Sequence, residues 1–305
     1  MLRALNICIR VNCVIEQKKR LLEYERYLKR KGYQQQTIDR YISEVDLFYR
    51  KMKKKLNEET IRNYLAEMKV TNRLSSLIRI QSVLKNFYYF LYENELATIV
   101  EENQKLNNIK YIPQKDFQIL IKSILMKSNK SGKQNELHLI LADRNVSIVL
   151  LMGKYGFTLN EVVNLNIEQI NFYKRTIFFE KEQVILDRID MDFLYQYFKS
   201  IPPLIRPLIQ TKQPFFIAFD NKRMTYLWDY STNSPKRLSS KAIQKMIKKV
   251  GENIGLSTIS AQVLRNTAII AAIKKGVSTN DLQNQFRLTE HGINRYKRNI
   301  KKSQL

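Results

Sequence analysis

Cysteine, histidine, glycine and proline are all scarce in this chain of 305 residues, and each scarcity removes a class of explanation. The 2 cysteines, Cys8 and Cys13, are too few for a disulfide framework. The 2 histidines, His138 and His291, cannot complete a Cys/His zinc site with them at any usual ligand spacing. No metal, no cofactor and a cytoplasmic setting are therefore expected. With 8 glycines and 6 prolines, the chain should be mostly helical with short loops. No apolar run reaches the ~18 residues of a membrane span. The apolar opening, Met1 to Cys13, is interrupted by Arg3 and Arg10 and has no small-residue cleavage site, so it is a poor signal peptide.

Acidic side chains are also in short supply. Lys and Arg number 53 against 28 Asp and Glu, a formal net charge of +25. Such an excess calls for a polyanionic partner or a heavily solvated surface. The length suits two domains, each with its own core.

Apolar spacing predicts helices over 15–31, 34–53, 57–68 and 73–96, with Asn57 as a cap and Glu58 and Glu59 favourable to the dipole. Four short helices make a compact bundle whose faces carry Lys18, Lys19, Arg20, Arg40, Lys51, Lys53, Lys54 and Lys55. The polar segment 105–113 reads as a linker, leaving 1–14 as an N-terminal arm, 15–104 as a helical domain and 114–305 as the second domain. In that domain, helices are expected over 114–126 and 144–155, with another opening at Thr158. Two short apolar runs, Thr176 to Phe179 and Val184 to Leu186, flank Glu180-Lys181-Glu182 as a hairpin. Helix returns over 192–199, and Phe215 to Ala218 is a further strand candidate. Residues 239–250 form a basic amphipathic helix with Lys241 and Lys245. The most suggestive stretch comes last: Arg265, set in a polar turn before an apolar helix, and Tyr296 among Arg295, Lys297 and Arg298 suggest a phosphodiester site.

In order and spacing these features resemble the tyrosine recombinase (phage integrase) family over about residues 15 to 300. Tyr155-Gly156-Phe157-Thr158-Leu159-Asn160-Glu161-Val162 is similar to a family signature, Thr-Gly-Leu-Arg-x-x-Glu-Leu, and Arg144-Asn145 to its upstream Arg-Asp. Lys181 falls near the hairpin turn, where the family carries a lysine. Gln262-Val263-Leu264-Arg265-Asn266-Thr267 resembles His-x-Leu-Arg-His-Thr, and Phe286-Arg287 a Gly-His pair nine residues before the nucleophilic tyrosine. The resemblance implies a mainly α fold: an N-terminal four-helix core-binding (SAM-like) bundle, then a mostly helical recombinase-like domain with a small sheet or hairpin.

It also implies a chemistry. Two arginines stabilise the charge gained by a phosphate, a tyrosine attacks to form a 3′-phosphotyrosyl bond, and a lysine protonates the leaving 5′-oxygen. No metal is required. Against that pattern Arg265, Tyr296 and Lys181 match, while Thr158 stands in place of the first arginine, Gln262 and Asn266 in place of histidines, and Arg287 in place of the last histidine. Arg144, Lys154 and Arg287 are the alternative cations for the place of the missing arginine. The expected protein therefore binds double-stranded DNA through Arg265, Lys181, Arg287, Arg295, Lys297, Lys241, Lys245 and Arg40. Its expected role is a repressor of the kind that maintains prophage lysogeny, with an active recombinase and an architectural accessory factor as alternatives. A homo-oligomer on DNA and a regulatory peptide or protein are further possible partners. His291 is expected to cap or leave a helix.

Overall fold

The computed structural model describes residues 2–52, 56–99, 109–126, 132–179 and 182–303. Lys181, Glu180, Lys53 to Lys55 and 105–108 of the expected linker lie outside them. The chain divides into two compact units, Met1–Lys105 and Leu106–Leu305.

Four helices form the first unit: α1 (Leu2–Arg30), α2 (Gln35–Met52), α3 (Glu58–Thr71) and α4 (Leu74–Tyr92). Helix α1 runs back through the segment read as an arm. Asn57 caps α3 as expected, accepting from the Thr60 amide while the Thr60 hydroxyl accepts from the Asn57 amide. Helix α4 stops short of Leu96 because Glu93 turns left-handed at φ 54° and donates its amide to Tyr89. The core is aromatic: Tyr24 packs edge-on to Phe87 at 4.7 Å and Phe48 to Tyr64 at 5.2 Å. Burying these rings outweighs the modest helical preference of such short segments.

The second unit holds α5 (Gln114–Leu125), α6 (Lys133–Gly153), α7 (Leu159–Asn164), α8 (Arg188–Ser200), α9 (Ser240–Asn253), α10 (Ala261–Lys274), α11 (Thr279–Phe286) and α12 (Glu290–Ser303). Helix α6 begins eleven residues before the expected Arg144; only its last turns, from Val146 to Gly153, are continuously buried. The expected hairpin is present as β2 (Thr176–Phe179) against β3 (Glu182–Ile185), Phe179 pairing with Glu182, and β1 (Ile170–Asn171) adds a third antiparallel strand. Phe215 to Ala218 is not a strand. Phe215, Phe216 and Ile217 are wholly buried, but only isolated bridges form, Asn166 with Pro214 and Ile217 with Arg237. Residues 109–113, read as linker, belong to this unit: Ile112 is buried and donates its amide to the Thr267 hydroxyl.

The turn between α6 and α7 depends on Gly156, at φ 71°, where a β-carbon would lie 2.3 Å from Phe286 Cδ1. Gly156→Ala is expected to lower unfolding free energy by about 2–3 kcal/mol, measured by denaturant titration. A neutral result would show that the Phe286 ring is not held against this turn.

Candidate nucleic-acid interface

Three elements converge where the sequence placed its phosphate site. Ser260 caps α10 through the Val263 amide, so Gln262, Arg265 and Asn266 stand in the first turns of the helix and not in a preceding turn. Thr158 caps α7 in a capping box with Glu161: its hydroxyl accepts from the Glu161 amide, and its own amide donates to Glu161 Oε2. The third element is the end of α11, where Phe286 and Arg287 leave the helix.

Glu161, quoted above as part of a signature but given no role, joins them. Arg287 Nε donates to its Oε1 at 2.5 Å and Nη2 to its Oε2 at 3.0 Å. Arg265 Nη1 stands 3.7 Å from Oε2. The Arg287 guanidinium also lies 5.6 Å from the ring centres of Phe157 and Phe179. Burial pushes the Glu161 carboxyl up, but the Arg287 bonds and the Thr158 amide outweigh it and hold the group below its usual range. The Thr158-x-x-Glu161 spacing was a legible capping box; its ion pairs were not.

Arg265 is 6 % exposed. Its Nη2 donates to the Phe286 carbonyl, and its Nη1, also buried, has no hydrogen-bond partner. Burial lowers its pKa, although a guanidinium stays charged. Arg265 lines a cavity of about 550 Å³ together with Thr158, Gln244, Lys248, Ser260 and Gln262. Gln244, on one exposed edge of α9, is a contributor the sequence reading missed, while Lys248 beside it was legible as part of the basic face of that helix but not as part of this site.

Tyr296, on α12, is 8 % exposed. Its hydroxyl donates to Asn266 Oδ1 at 2.8 Å, which also accepts from Gln262 Nε2 at 2.7 Å. Asn266 in turn donates to the Lys110 carbonyl. Burial raises the Tyr296 pKa, opposed by Arg265 and Arg295. The network is built from neutral amides, which orient a phenol but do not take its proton near neutral pH.

Thr158, Gln262, Arg265, Asn266, Arg287 and Tyr296 are thus brought together. The substitute cations are not available to the cavity. Arg287 is engaged by Glu161, and Lys154 pairs with Asp187 and Asp190. Arg144 lines a different cavity. Lys245 lines that second cavity too, while Lys241, Arg295 and Arg40 are exposed and Lys297 donates to the Thr279 hydroxyl. His291 is exposed in the first turn of α12. Among the described residues no group of three His, Cys, Asp or Glu could hold a metal ion, and no helix is long and apolar enough to cross a membrane.

Because the Glu161 pKa is depressed in the folded chain, its contribution is complete above the ordinary value of 4.5 and is lost as pH falls through the lower folded value. Glu161→Gln should cost about 2 kcal/mol at neutral pH. The stability curves of the two proteins should converge as the solution is acidified below the ordinary value of 4.5. Parallel curves in denaturant titrations across that range would show that the carboxylate is not the group responsible.

The phage integrase N-terminal SAM-like domain matches residues 21–95. No curated protein matches the sequence. Among solved structures, the XerH site-specific recombinase bound to palindromic difH superposes with a TM-score of 0.64 at 14 % identity, over 96 % of this chain and 87 % of that one. The Tn1549 transposon integrase in complex with a circular intermediate DNA gives a TM-score of 0.62 at 12 % identity, over 91 % and 94 %. Pre-cleavage XerH bound to difH gives 0.58 at 15 % identity, over 86 % and 76 %. The first unit is therefore similar to the SAM-like domain of phage integrases, and the chain as a whole has the fold of the tyrosine recombinases.

Proposed function

We propose that the chain is a sequence-specific double-stranded DNA-binding protein that grips a backbone phosphate at Arg265 without cutting the strand. The observation that carries this reading is the buried Arg265 guanidinium, with Nη1 lacking a hydrogen bond, at the wall of a cavity that also receives Lys248. Buried polar groups are ordinarily satisfied, and a guanidinium fork fits phosphate oxygens. The solved structures with this fold include XerH on difH and the Tn1549 integrase on circular-intermediate DNA, and the net charge of +25 suits the same partner.

Three side chains favour binding over cleavage. Thr158 offers a hydroxyl already used as a helix cap where a second guanidinium would be needed. Losing one such donor typically costs ~3 kcal/mol of transition-state stabilisation, about a hundredfold in rate. Gln262 and Asn266 provide no proton acceptor for Tyr296 near neutral pH. A protein of this kind represses transcription by occupying an operator, in the manner of recombinase-fold prophage repressors, on the nucleoid and as a homo-oligomer, with a peptide or protein partner as the releasing signal. Phosphate contacts from Lys241, Arg295, Lys297 and Arg40 would add sequence-independent affinity.

The second reading, an active recombinase, is favoured by one observation: Tyr296 and Arg265 meet within one chain, with the Tyr296 hydroxyl on the Asn266–Gln262 network. A nicked suicide duplex separates the two. No covalent adduct is expected; an adduct abolished by Tyr296→Phe would sink the binding-only reading. Arg265→Ala should weaken DNA binding and make the slope of log affinity against log salt shallower by about one unit. Fluorescence anisotropy over a salt series measures this, and an unchanged slope removes Arg265 from the phosphate contacts.

A further inference from the structure

The second cavity, about 430 Å³, lies beside the opposite edge of α9 and is walled also by α5 and α6. Arg144, from the middle of α6, lines it while being only 7 % exposed. Its Nε and Nη2 both donate to the amide oxygen of its neighbour Asn145. The titratable groups that face it are the phenols of Tyr197 and Tyr226, which burial keeps protonated, and no carboxylate is among them. Asp143, adjacent in sequence, forms no ion pair with it among the described residues; burial alone acts on that carboxyl. A buried guanidinium cannot shed its proton, and buried charges are normally paired.

The same cavity receives Lys245 and Lys249 from α9, and none of its described lining residues is acidic. Three cations and no described carboxylate line the recess, and Lys245 and Lys249 are exposed to an incoming anion, a charge balance that favours an anionic ligand. Leu141, Phe219 and Met246 supply an apolar wall, and the volume is that of an ordinary small-molecule pocket. We propose that this cavity binds a small organic phosphate, its phosphate held by Arg144, Lys245 and Lys249 and its apolar or ring portion against Phe219 and Met246. The backbone of a duplex shares the phosphate chemistry, and competition between DNA and the small phosphate distinguishes the two sources. The inference is independent of what the Arg265 cavity holds.

Calorimetric titration of the full chain with AMP is the test, and one saturable site is expected. Arg144→Gln should abolish binding, and the exposed Lys249→Ala, which leaves the core untouched, should weaken it about tenfold. Lys248→Ala, on the other edge of α9, should leave it unchanged. Dissociation constants weaker than about 1 mM, or an affinity indifferent to Lys249→Ala, would overturn the proposal. Loss in Lys248→Ala would do the same by moving AMP to the Arg265 cavity. Displacement of AMP by an equimolar short duplex would assign the phosphate chemistry to the DNA backbone and also overturn it. In methionine-methyl NMR spectra the Met246 signal should shift with AMP; a spectrum in which it stays still counts against the site.

Discussion

The arrangement of the second unit depends on one partly buried carboxylate. Glu161 belongs to a one-turn helix that would hold little shape alone, yet it closes the Thr158 cap and binds Arg287 through both oxygens. Through Arg287 it fixes the end of α11, whose Phe286 carbonyl receives Arg265. Removing the carboxylate would leave Arg265 and Arg287 without the anion they share. Because like charges at close range in a weakly polar setting repel strongly, Glu161 is what allows a guanidinium to stand at the cavity wall.

That same economy limits the chemistry. Of the cations near the site in sequence, Arg287 and Lys154 are spent on carboxylates, and Arg144 opens onto a separate recess. Tyr296 is held by amide groups that position its hydroxyl while burial keeps it protonated. The site presents a buried guanidinium and neutral amides, and it is poorly supplied with proton acceptors. Helix α9 stands between the two cavities, giving Gln244 and Lys248 to one and Lys245 and Lys249 to the other. A single basic amphipathic helix thus serves two surfaces.

Helices with a clear apolar stripe or a legible cap were readable in the sequence: α2, α3, α9 and the Thr158 start of α7 all begin within a residue or two of their signals. Where one residue's local preference competes with packing, reading failed. Phe215 to Ala218 looks like a strand, but the backbone there meets no continuous partner and forms only isolated bridges. Arg265 looked like a turn residue because polar neighbours surround it, whereas Ser260 starts the helix ahead of it.

The sequence by itself determined the helical class, the positive charge, the capping residues and the order of elements that carries the likeness, because these are set by composition and short-range periodicity. Only the tertiary structure decided which cations remain free. Arg144, Arg265 and Arg287 are the same letter and Lys154 carries the same charge, and their difference lies in the carboxylates and carbonyls that folding brings to each. Such partners stand up to 126 residues apart, as in Glu161 with Arg287. Pairings of that range are settled by packing, which no local pattern records.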